Sequence, residues 1–257
     1  MKISACLITL NEERNLPRCL GSVTPLADEI LVVDSGSADA TAEIARKFGA
    51  RVVHQAWLGY VGQKNFALDQ AVHPWVLSID ADEEISSGLA ASIKRVKSDP
   101  AAESPSAPNG YEVSRLVHYR GQWIRHGDWY PDRLVRLFRR DDARFTGGRV
   151  HEKLEIPGNH PLLPGHLHHY TYTDPADRAA RCALYAGLWA QSAHEMGRRA
   201  HPWSPALHSL ARFFKGFLLK GGLLDGAVGW DVASGNAREV WLKYHRLLEL
   251  NRESSQK

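Results

Sequence analysis

The sequence predicts an α/β fold with a mostly parallel sheet, followed by a helical C-terminal region. In the N-terminal part of the chain, short apolar runs alternate with helical patterns of about ten residues, which is typical of βαβ units whose sheet is buried on both faces. After Asp174-Pro175 the hydrophobic periodicity becomes helical. These two observations predict a first domain over residues 1–174 and a helical appendage over residues 175–257.

The individual elements are predicted from apolar runs, helix caps and breakers. Four apolar runs predict strands at residues 3–10, 30–33, 51–54 and 75–79. Helical periodicity predicts helices at residues 12–20, 38–48, 61–71 and 86–96, the last with Ser86 as its N-cap. A surface loop is predicted at 100–109, weaker strands at 111–117, 134–138 and 149–156, and C-terminal helices at 179–196, 207–219 and 237–250.

The composition is that of an ordinary globular protein. Of 257 residues, 44% are hydrophobic and 24% are charged, which argues against disorder. The three cysteines have no metal-ligand spacing and fit a reducing compartment. No segment reaches the roughly 18 apolar residues of a membrane span, and the first apolar run is too short for a signal peptide. We therefore expect a cytoplasmic protein.

Charge is distributed unevenly along the chain. The net charge is +3, but residues 1–174 carry 20 basic and 22 acidic residues (−2), whereas residues 175–257 carry 12 and 7 (+5). No helix-turn-helix, zinc-finger or RNA-binding signature accompanies the basic region. We therefore expect no nucleic-acid partner.

Polar side chains follow three of the predicted strands at the points where they end. In chain order they are Thr9, Asn11, Glu12, Asp34, Asp80 and Asp82. Ligands of open α/β sheets bind at the carboxyl ends of the strands, and paired carboxylates suit a hard divalent cation that also takes phosphate oxygens. Lys64, on the third predicted helix, would add a cation for the same phosphates. The alternatives are a solvated acidic turn and an exposed helix lysine.

Two common nucleotide sites are excluded by their missing motifs. The chain has no Gly-x-x-x-x-Gly-Lys-Ser/Thr loop, and no Gly-x-Gly-x-x-Gly follows the first strand. A P-loop NTPase and a dinucleotide-binding dehydrogenase are therefore not expected.

Four motifs, in order along the chain, resemble family 2 glycosyltransferases of the GT-A fold. They are Ile8-Thr9-Leu10-Asn11-Glu12, Val32-Val33-Asp34-Ser35-Gly36-Ser37-Ala38-Asp39, Gln63-Lys64-Asn65 and Asp80-Ala81-Asp82-Glu83. The family's usual acidic pair after the second strand appears here as Asp34-Ser35, which leaves the nucleotide contact on Asp34. Further segments resemble a narrower subgroup, the bacterial lipopolysaccharide inner-core β-1,4-glucosyltransferases: residues 121–123, 130–132, 136–140, 148–153 and 169–172.

The resemblance implies a nucleotide-diphospho-sugar donor, expected to be UDP-glucose, and Mg²⁺ or Mn²⁺ as cofactor. The first domain would then consist of a nucleotide-sugar half, residues 1–98, and an acceptor half, residues 99–174. The expected metal ligands are Asp82 first, then Asp80 and His169, although a solvated His-rich loop is the alternative for the last. The expected donor-binding residues are Thr9, Asn11, Glu12, Asp34, Lys64, Asn65, Asp80 and Arg136.

The same resemblance implies inversion at the sugar carbon, for which a general base is needed. Glu152 is the expected base, and His151 is either a second candidate or a partner that tunes Glu152. A purely structural His-Glu pair at a strand edge is the alternative. The implied function is transfer of a hexose onto a lipid-linked saccharide such as the lipopolysaccharide core. A polyisoprenyl-phosphate sugar transferase and a nucleotide-sugar-binding regulator without catalysis are the competing hypotheses.

The C-terminal region combines aromatic and basic residues on one predicted helix. Arg212, Lys215 and Lys220 lie on and beside a stripe that contains Phe213, Phe217 and Leu218. Basic amphipathic helices lie in membrane interfaces and attract anionic lipids. We therefore expect peripheral contact with the inner face of the inner membrane, with a lid or a dimer contact as the alternative.

Overall fold

The structure is a computed structural model that describes residues 1–104, 106–147, 152–172 and 174–255. These residues form two compact units that do not follow chain order. The first unit contains the described parts of 1–115 and 132–169, and the second contains 116–131 and the described residues from 170 onward. Residues 116–131, which the sequence assigned to the first domain, therefore belong with the C-terminal helices.

A mixed sheet of eight strands dominates the first unit and confirms the predicted α/β class, and a ninth strand, β7, extends it in the second unit. In chain order the strands are β1 (Ile3–Thr9), β2 (Glu29–Asp34), β3 (Arg51–His54), β4 (Trp75–Ser78), β5 (Glu83–Ile85), β6 (Gly110–Tyr119), β7 (Gln122–Trp123), β8 (Asp132–Arg139), β9 (Arg144–Gly147), β10 (Glu152–Glu155) and β11 (Leu162–His169). The order across the sheet is β3-β2-β1-β4-β8-β6-β11-β5, β7 pairs with the end of β6, and β9 and β10 form a separate antiparallel pair.

The helices are α1 (Leu16–Val23), α2 (Thr41–Lys47), α3 (Gly59–Gln70), α4 (Ser87–Ser98), α5 (Pro175–Glu195), α6 (Ser204–Phe214) and α7 (Gly226–Ser255). Within the described ranges, no helix combines the length and the apolar composition needed to cross a bilayer.

One half of the sheet is parallel and buried on both faces. β1 pairs in parallel with β2 and β4, and β2 with β3. Leu7 and Val32 pack into one core with residues of α1 and α4, whereas Leu31 and Val33 pack into the opposite core with residues of α3. Because both faces are covered, these strands are nearly continuous apolar runs. The four strands predicted here are confirmed.

The other half is antiparallel and contains strands that the sequence did not predict. β8 pairs antiparallel with β4 and β6, and β11 with β5. The prediction lacked β5, β7, β9 and β11. β5 has only three residues, and β11 contains Pro164, Gly165 and three histidines, so its composition resembles that of a loop.

Helix boundaries differ from the prediction where turn residues intervene. α1 begins at Leu16 instead of residue 12, because Asn11 adopts φ 57° in a turn and Pro17 occupies the first helical turn. α4 has its predicted N-cap, since the Ser86 hydroxyl accepts the backbone N–H of Leu89 at 3.3 Å. α7 is longer than predicted, because several glycines obscure the periodicity of its first half.

In the second unit, a buried arginine joins α5 to α7 and to the 116–131 segment. Arg178, on α5, is 4% exposed. Its guanidinium donates to the carbonyl oxygens of Asp231 and Val232 at 3.1 and 2.9 Å. The same group lies over the rings of Tyr119 and Trp129, at 5.2 and 4.8 Å from their centroids. These contacts explain why 116–131 packs with the C-terminal helices.

β11 crosses the first turn of α4 at a glycine, which leads to a stability prediction. Gly165 has φ +105°, and a Cβ there would collide with the backbone of Gly88 and Leu89. We expect Gly165→Ala to lower the melting temperature markedly, because backbone must move to make room. Gly158→Ala is the control, since Gly158 has φ +96° but open space around it. Equal losses in thermal unfolding would contradict the close approach of β11 to α4.

Candidate functional site

Asp34 is a buried, fully hydrogen-bonded carboxylate at the end of β2. Thr9, opposite it at the end of β1, donates its hydroxyl to Asp34 at 3.1 Å. The backbone N–H groups of Gly36 and Ser37 donate to it at 3.0 and 2.9 Å. Burial raises the pKa of Asp34, but hydrogen bonds from the Ser37 side chain and from these backbone groups outweigh it and lower the pKa below its usual range. The group is therefore a fixed anionic acceptor.

The loop after β1 is bonded to the loop after β2. The Asn11 N–H donates to the Ser37 hydroxyl at 2.9 Å, and the Asn11 side-chain oxygen accepts the Ala38 N–H at 2.8 Å. The Glu12 N–H donates to the Thr41 hydroxyl at 2.7 Å. The structure thus brings the four residues predicted from the ends of β1 and β2 to one edge of the sheet.

Asp80 lies between two buried cations in the turn between β4 and β5. One carboxylate oxygen is 3.2 Å from the Lys64 ammonium, and the other accepts from the Arg136 guanidinium at 2.7 Å. Each of these cations is 6% exposed. Burial raises the pKa of Asp80, but Arg136 and Lys64 together lower it well below its usual range. Three predicted site residues thus form one charge network.

Glu83 is a further member of this network to which the sequence assigned no role. It is fully buried, accepts the backbone N–H of Asp80 at 3.0 Å and pairs with Arg136. Arg115 lies 3.5 Å from it and pairs with Asp132 at 2.8 Å. In the sequence, the only indication of a role for Glu83 was its position at the end of the Asp80–Glu83 motif. Glu83 therefore fixes the position of Arg136, and Arg136 in turn pairs with Asp80.

Glu152, the predicted base, lies at the start of β10 against the same lysine. Its carboxylate accepts from the Lys64 ammonium at 2.9 Å, and its side chain is 26% exposed. Burial raises the pKa of Glu152, but the charge and hydrogen bond of Lys64 lower it below its usual range. The lysine therefore contacts both Asp80 and Glu152. His151, together with residues 148–150, lies outside the described residues, and its role stays a prediction.

Asn65 supports the strand pair that carries Glu152. Its side-chain N–H donates to the Phe145 carbonyl at 2.8 Å, and its oxygen accepts the Phe145 N–H at 2.9 Å. Phe145 belongs to β9, which pairs with β10. The amide thus acts as a structural bridge, and its assignment to donor binding stays a prediction.

Asp82 and His169 form the part of the site that suits a metal. The imidazole Nε2 of His169 is 3.2 Å from a carboxylate oxygen of Asp82. In the described parts of the chain, no three His, Cys, Asp or Glu side chains form a ready-made metal site. Asp80, the other predicted ligand, is already neutralised by two cations. The pair fits Mg²⁺ or Mn²⁺ only as an incomplete site, completed by waters and the oxygens of a diphosphate.

The spacing of Gln63 and Lys64 within α3 is a sequence signal that both polar side chains are buried. Gln63 is fully buried, and its amide donates to the Ser35 hydroxyl at 2.9 Å and the Gln55 carbonyl at 3.0 Å. Both polar residues precede buried apolar residues of α3 by four positions, which places them on the inward face of the helix. The sequence analysis identified this pair through the family motif and did not use the spacing, which by itself indicates functional polar residues on the buried face.

The family of the chain is decided by comparison with known proteins. The family model described as glycosyl transferase family 2 matches residues 4–151. This chain belongs to glycosyl transferase family 2. The matched range includes the four motifs at β1, β2, α3 and the β4–β5 turn, so the family and the GT-A fold expected from them are confirmed.

Relatives of this family 2 glycosyltransferase align over nearly the whole chain. An uncharacterized glycosyltransferase of Rickettsia typhi is 30% identical over 98% of this chain and 89% of its own. The lipopolysaccharide core biosynthesis glycosyltransferase LpsC of Rhizobium meliloti is 31% identical over 95% of this chain and 93% of its own. Glucosyl-3-phosphoglycerate synthase of Mycobacterium tuberculosis, solved with Mn²⁺, UDP and its product, aligns over 46% of this chain and 44% of that one, with 25% identity and a TM-score of 0.35.

The buried position of Glu83 leads to a stability prediction. We expect Glu83→Gln to lower the free energy of unfolding by about 3–5 kcal/mol, because losing one partner of a buried ion pair leaves the other charge uncompensated. Glu84→Gln is the matched control, since the neighbouring side chain is 32% exposed. Urea denaturation of both variants measures the difference. Equal stabilities would show that Arg136 does not depend on Glu83.

Proposed function

We propose that this glycosyltransferase is an inverting, metal-dependent hexosyltransferase that acts on a lipid-linked saccharide of lipopolysaccharide-core type. UDP-glucose is the expected donor. The relative named as a lipopolysaccharide core biosynthesis glycosyltransferase supports the acceptor class. The proposal rests above all on Lys64, whose ammonium lies 3.2 Å from Asp80 and 2.9 Å from Glu152. One cation thereby connects the expected diphosphate region with the expected base.

On the donor side, the chain offers groups for each part of a nucleotide sugar. Asp34, an ionised carboxylate, would accept hydrogen bonds from the base or ribose in place of the side-chain hydroxyls of Thr9 and Ser37 that it binds here. Asp82 and His169 would hold the divalent ion, which neutralises charge developing on the leaving diphosphate. Lys64 supplies a second positive charge for the same group. Departure of the diphosphate is thereby favoured without an enzyme nucleophile.

On the acceptor side, Glu152 takes the proton from the attacking hydroxyl. Paired with Lys64 alone, it is a weak base, because its pKa is lowered. A diphosphate that attracts the Lys64 ammonium withdraws part of this pairing, so the pKa of Glu152 rises towards the range where a general base works best. Donor binding would therefore activate the base.

A lipid-linked acceptor requires the enzyme to work at a membrane surface. We therefore include peripheral membrane contact, at the cytosolic face, in the proposed function. The net charge of +5 in residues 175–257 supports attraction to anionic lipids.

The metal role predicts a loss of both binding and turnover in Asp82→Ala. In wild-type protein, UDP-glucose at 100 times its Kd should stabilise the fold by ~2.7 kcal/mol, and only when Mg²⁺ or Mn²⁺ is present. The variant should lose this metal-dependent thermal shift. A panel of nucleotide sugars in the same assay identifies the donor. Full turnover by Asp82→Ala, with and without EDTA, would remove the metal role.

The base role predicts that Glu152→Gln keeps donor binding but loses turnover by roughly 10²–10⁴. Glu155→Gln, an exposed change on the same strand, is the control. In wild type, kcat/KM should fall as pH falls through the pKa of Glu152, and this acidic limb should vanish in the variant.

The competing hypotheses give other outcomes. Wild-type rates in Glu152→Gln would move the base to His151 or favour an acceptor that is already anionic, such as polyisoprenyl phosphate. Donor binding without hydrolysis or transfer by wild-type protein would indicate a nucleotide-sugar-binding regulator.

A further inference from the structure

Helix α6 and the residues after it present apolar side chains to solvent. Trp203, Leu207, Leu210, Phe214 and Leu218 recur every three or four residues, so they share one helix face. Their exposed fractions are 62, 60, 57, 48 and 49%, and Leu219, Leu223 and Leu224, which follow in the chain, are 83, 46 and 66% exposed. These eight residues are called the apolar stripe. Contiguous apolar surface of this kind marks an interaction site.

A flank of the same helical segment, adjacent to the apolar stripe, contacts α7. Phe213 and Phe217 stack on each other at 5.3 Å, and both meet Trp230 of α7 edge-on, at 4.9 and 5.3 Å. The sequence placed these two phenylalanines with Leu218 in a membrane-facing stripe, whose membrane contact stays a prediction. In the structure both phenylalanines pack against Trp230, whereas Leu218 is 49% exposed and belongs to the apolar stripe.

The charges around the apolar stripe are of one sign. Residues 196–224 contain no Asp or Glu and five cations. Two of these, Arg212 and Lys220, lie 3.0 and 3.2 Å from Asp128, whose side chain is 1% exposed. Both pair with a buried carboxylate while their own side chains are 40 and 44% exposed, so lipid binding by these two residues stays a prediction. The exposed basic residues of the segment outside this ion-pair group are Arg198, Arg199 and Lys215.

We propose that the apolar stripe inserts into the interface of an anionic membrane, with Arg198, Arg199 and Lys215 contacting lipid headgroups. Membrane contact belongs to the proposed function, and this inference rests on it while naming the surface that makes the contact. A second copy of the chain is a poorer occupant, because pairing two such faces would bring like charges together.

The test replaces three residues of the apolar stripe at once, in Leu207→Gln/Leu210→Gln/Phe214→Gln. Flotation with vesicles of phosphatidylglycerol and phosphatidylethanolamine measures the partition coefficient. We expect the wild-type protein to bind and the variant to bind about tenfold less for each side chain replaced. Val72→Gln/Leu162→Gln is the matched control, since these side chains are 62 and 40% exposed in the first unit. The control should bind like wild type.

A second variant tests the charges, namely Arg198→Gln/Arg199→Gln/Lys215→Gln. Binding should weaken about fivefold per cation, because each basic residue near an anionic leaflet contributes about 1 kcal/mol. Wild-type binding should also be far weaker to pure phosphatidylcholine. Equal binding to both lipids, or no effect of the charge variant, would overturn the anionic-lipid assignment.

Three results would overturn the apolar stripe as the membrane contact. They are no vesicle binding by wild type, equal binding by wild type and the stripe variant, and an equal loss in the control. A wild-type dimer that the stripe variant converts to monomer, without vesicle binding, would assign the surface to self-association. Donor hydrolysis in solution is measured on the same proteins, so a failed membrane contact is distinguished from a failed glycosyltransferase proposal.

Discussion

One buried ammonium group, that of Lys64, holds together the two carboxylates on which the proposed reaction depends. The lysine comes from α3, Asp80 from the β4–β5 turn and Glu152 from β10. One cation therefore aligns three elements through two ion pairs. Buried charges are costly unless each is matched, and Arg136 and Glu83 complete the match on the far side of Asp80. The site is thus pre-organised by ion pairs among its own side chains, and the incoming donor meets groups that are already oriented.

The parallel half of the fold could be predicted from the sequence because local patterns determine it. Strands that are buried on both faces consist of nearly unbroken apolar runs. β1 to β4 lie where such runs predict them. β11 was not predictable in the same way, since a strand with Pro164, Gly165 and three histidines is stabilised by its neighbours in the sheet. The start of α1 depended on the left-handed turn at Asn11, a backbone feature that periodicity does not report.

Like the strands, the site residues are of two kinds: those that local sequence patterns predict, and those whose role depends on residues far along the chain. Carboxylates at strand ends were found because their position follows from the strands themselves. The structure brings the predicted Thr9, Asp34, Lys64, Asp80 and Glu152 into contacts with one another or with their immediate loops. The importance of Glu83, and the ion pairs that Arg212 and Lys220 make with the buried Asp128, depend on partners far along the chain. No spacing rule identifies such partners, so the sequence showed these two residues as basic positions but not as partners of a buried carboxylate.

The ion-pair group at Asp128 has a consequence for how the chain folds as it is synthesised. Asp128 precedes Arg212, the first of its two basic partners, by 84 residues, which at ribosomal rates corresponds to roughly 4–17 s of elongation. During that interval its carboxylate has neither of its two basic partners and stays hydrated, although it is 1% exposed in the finished unit. The first unit has all its residues once His169 has emerged, whereas the second must wait for the helices that carry the apolar stripe. The apolar stripe is therefore synthesised only after the first unit is complete and has had time to fold.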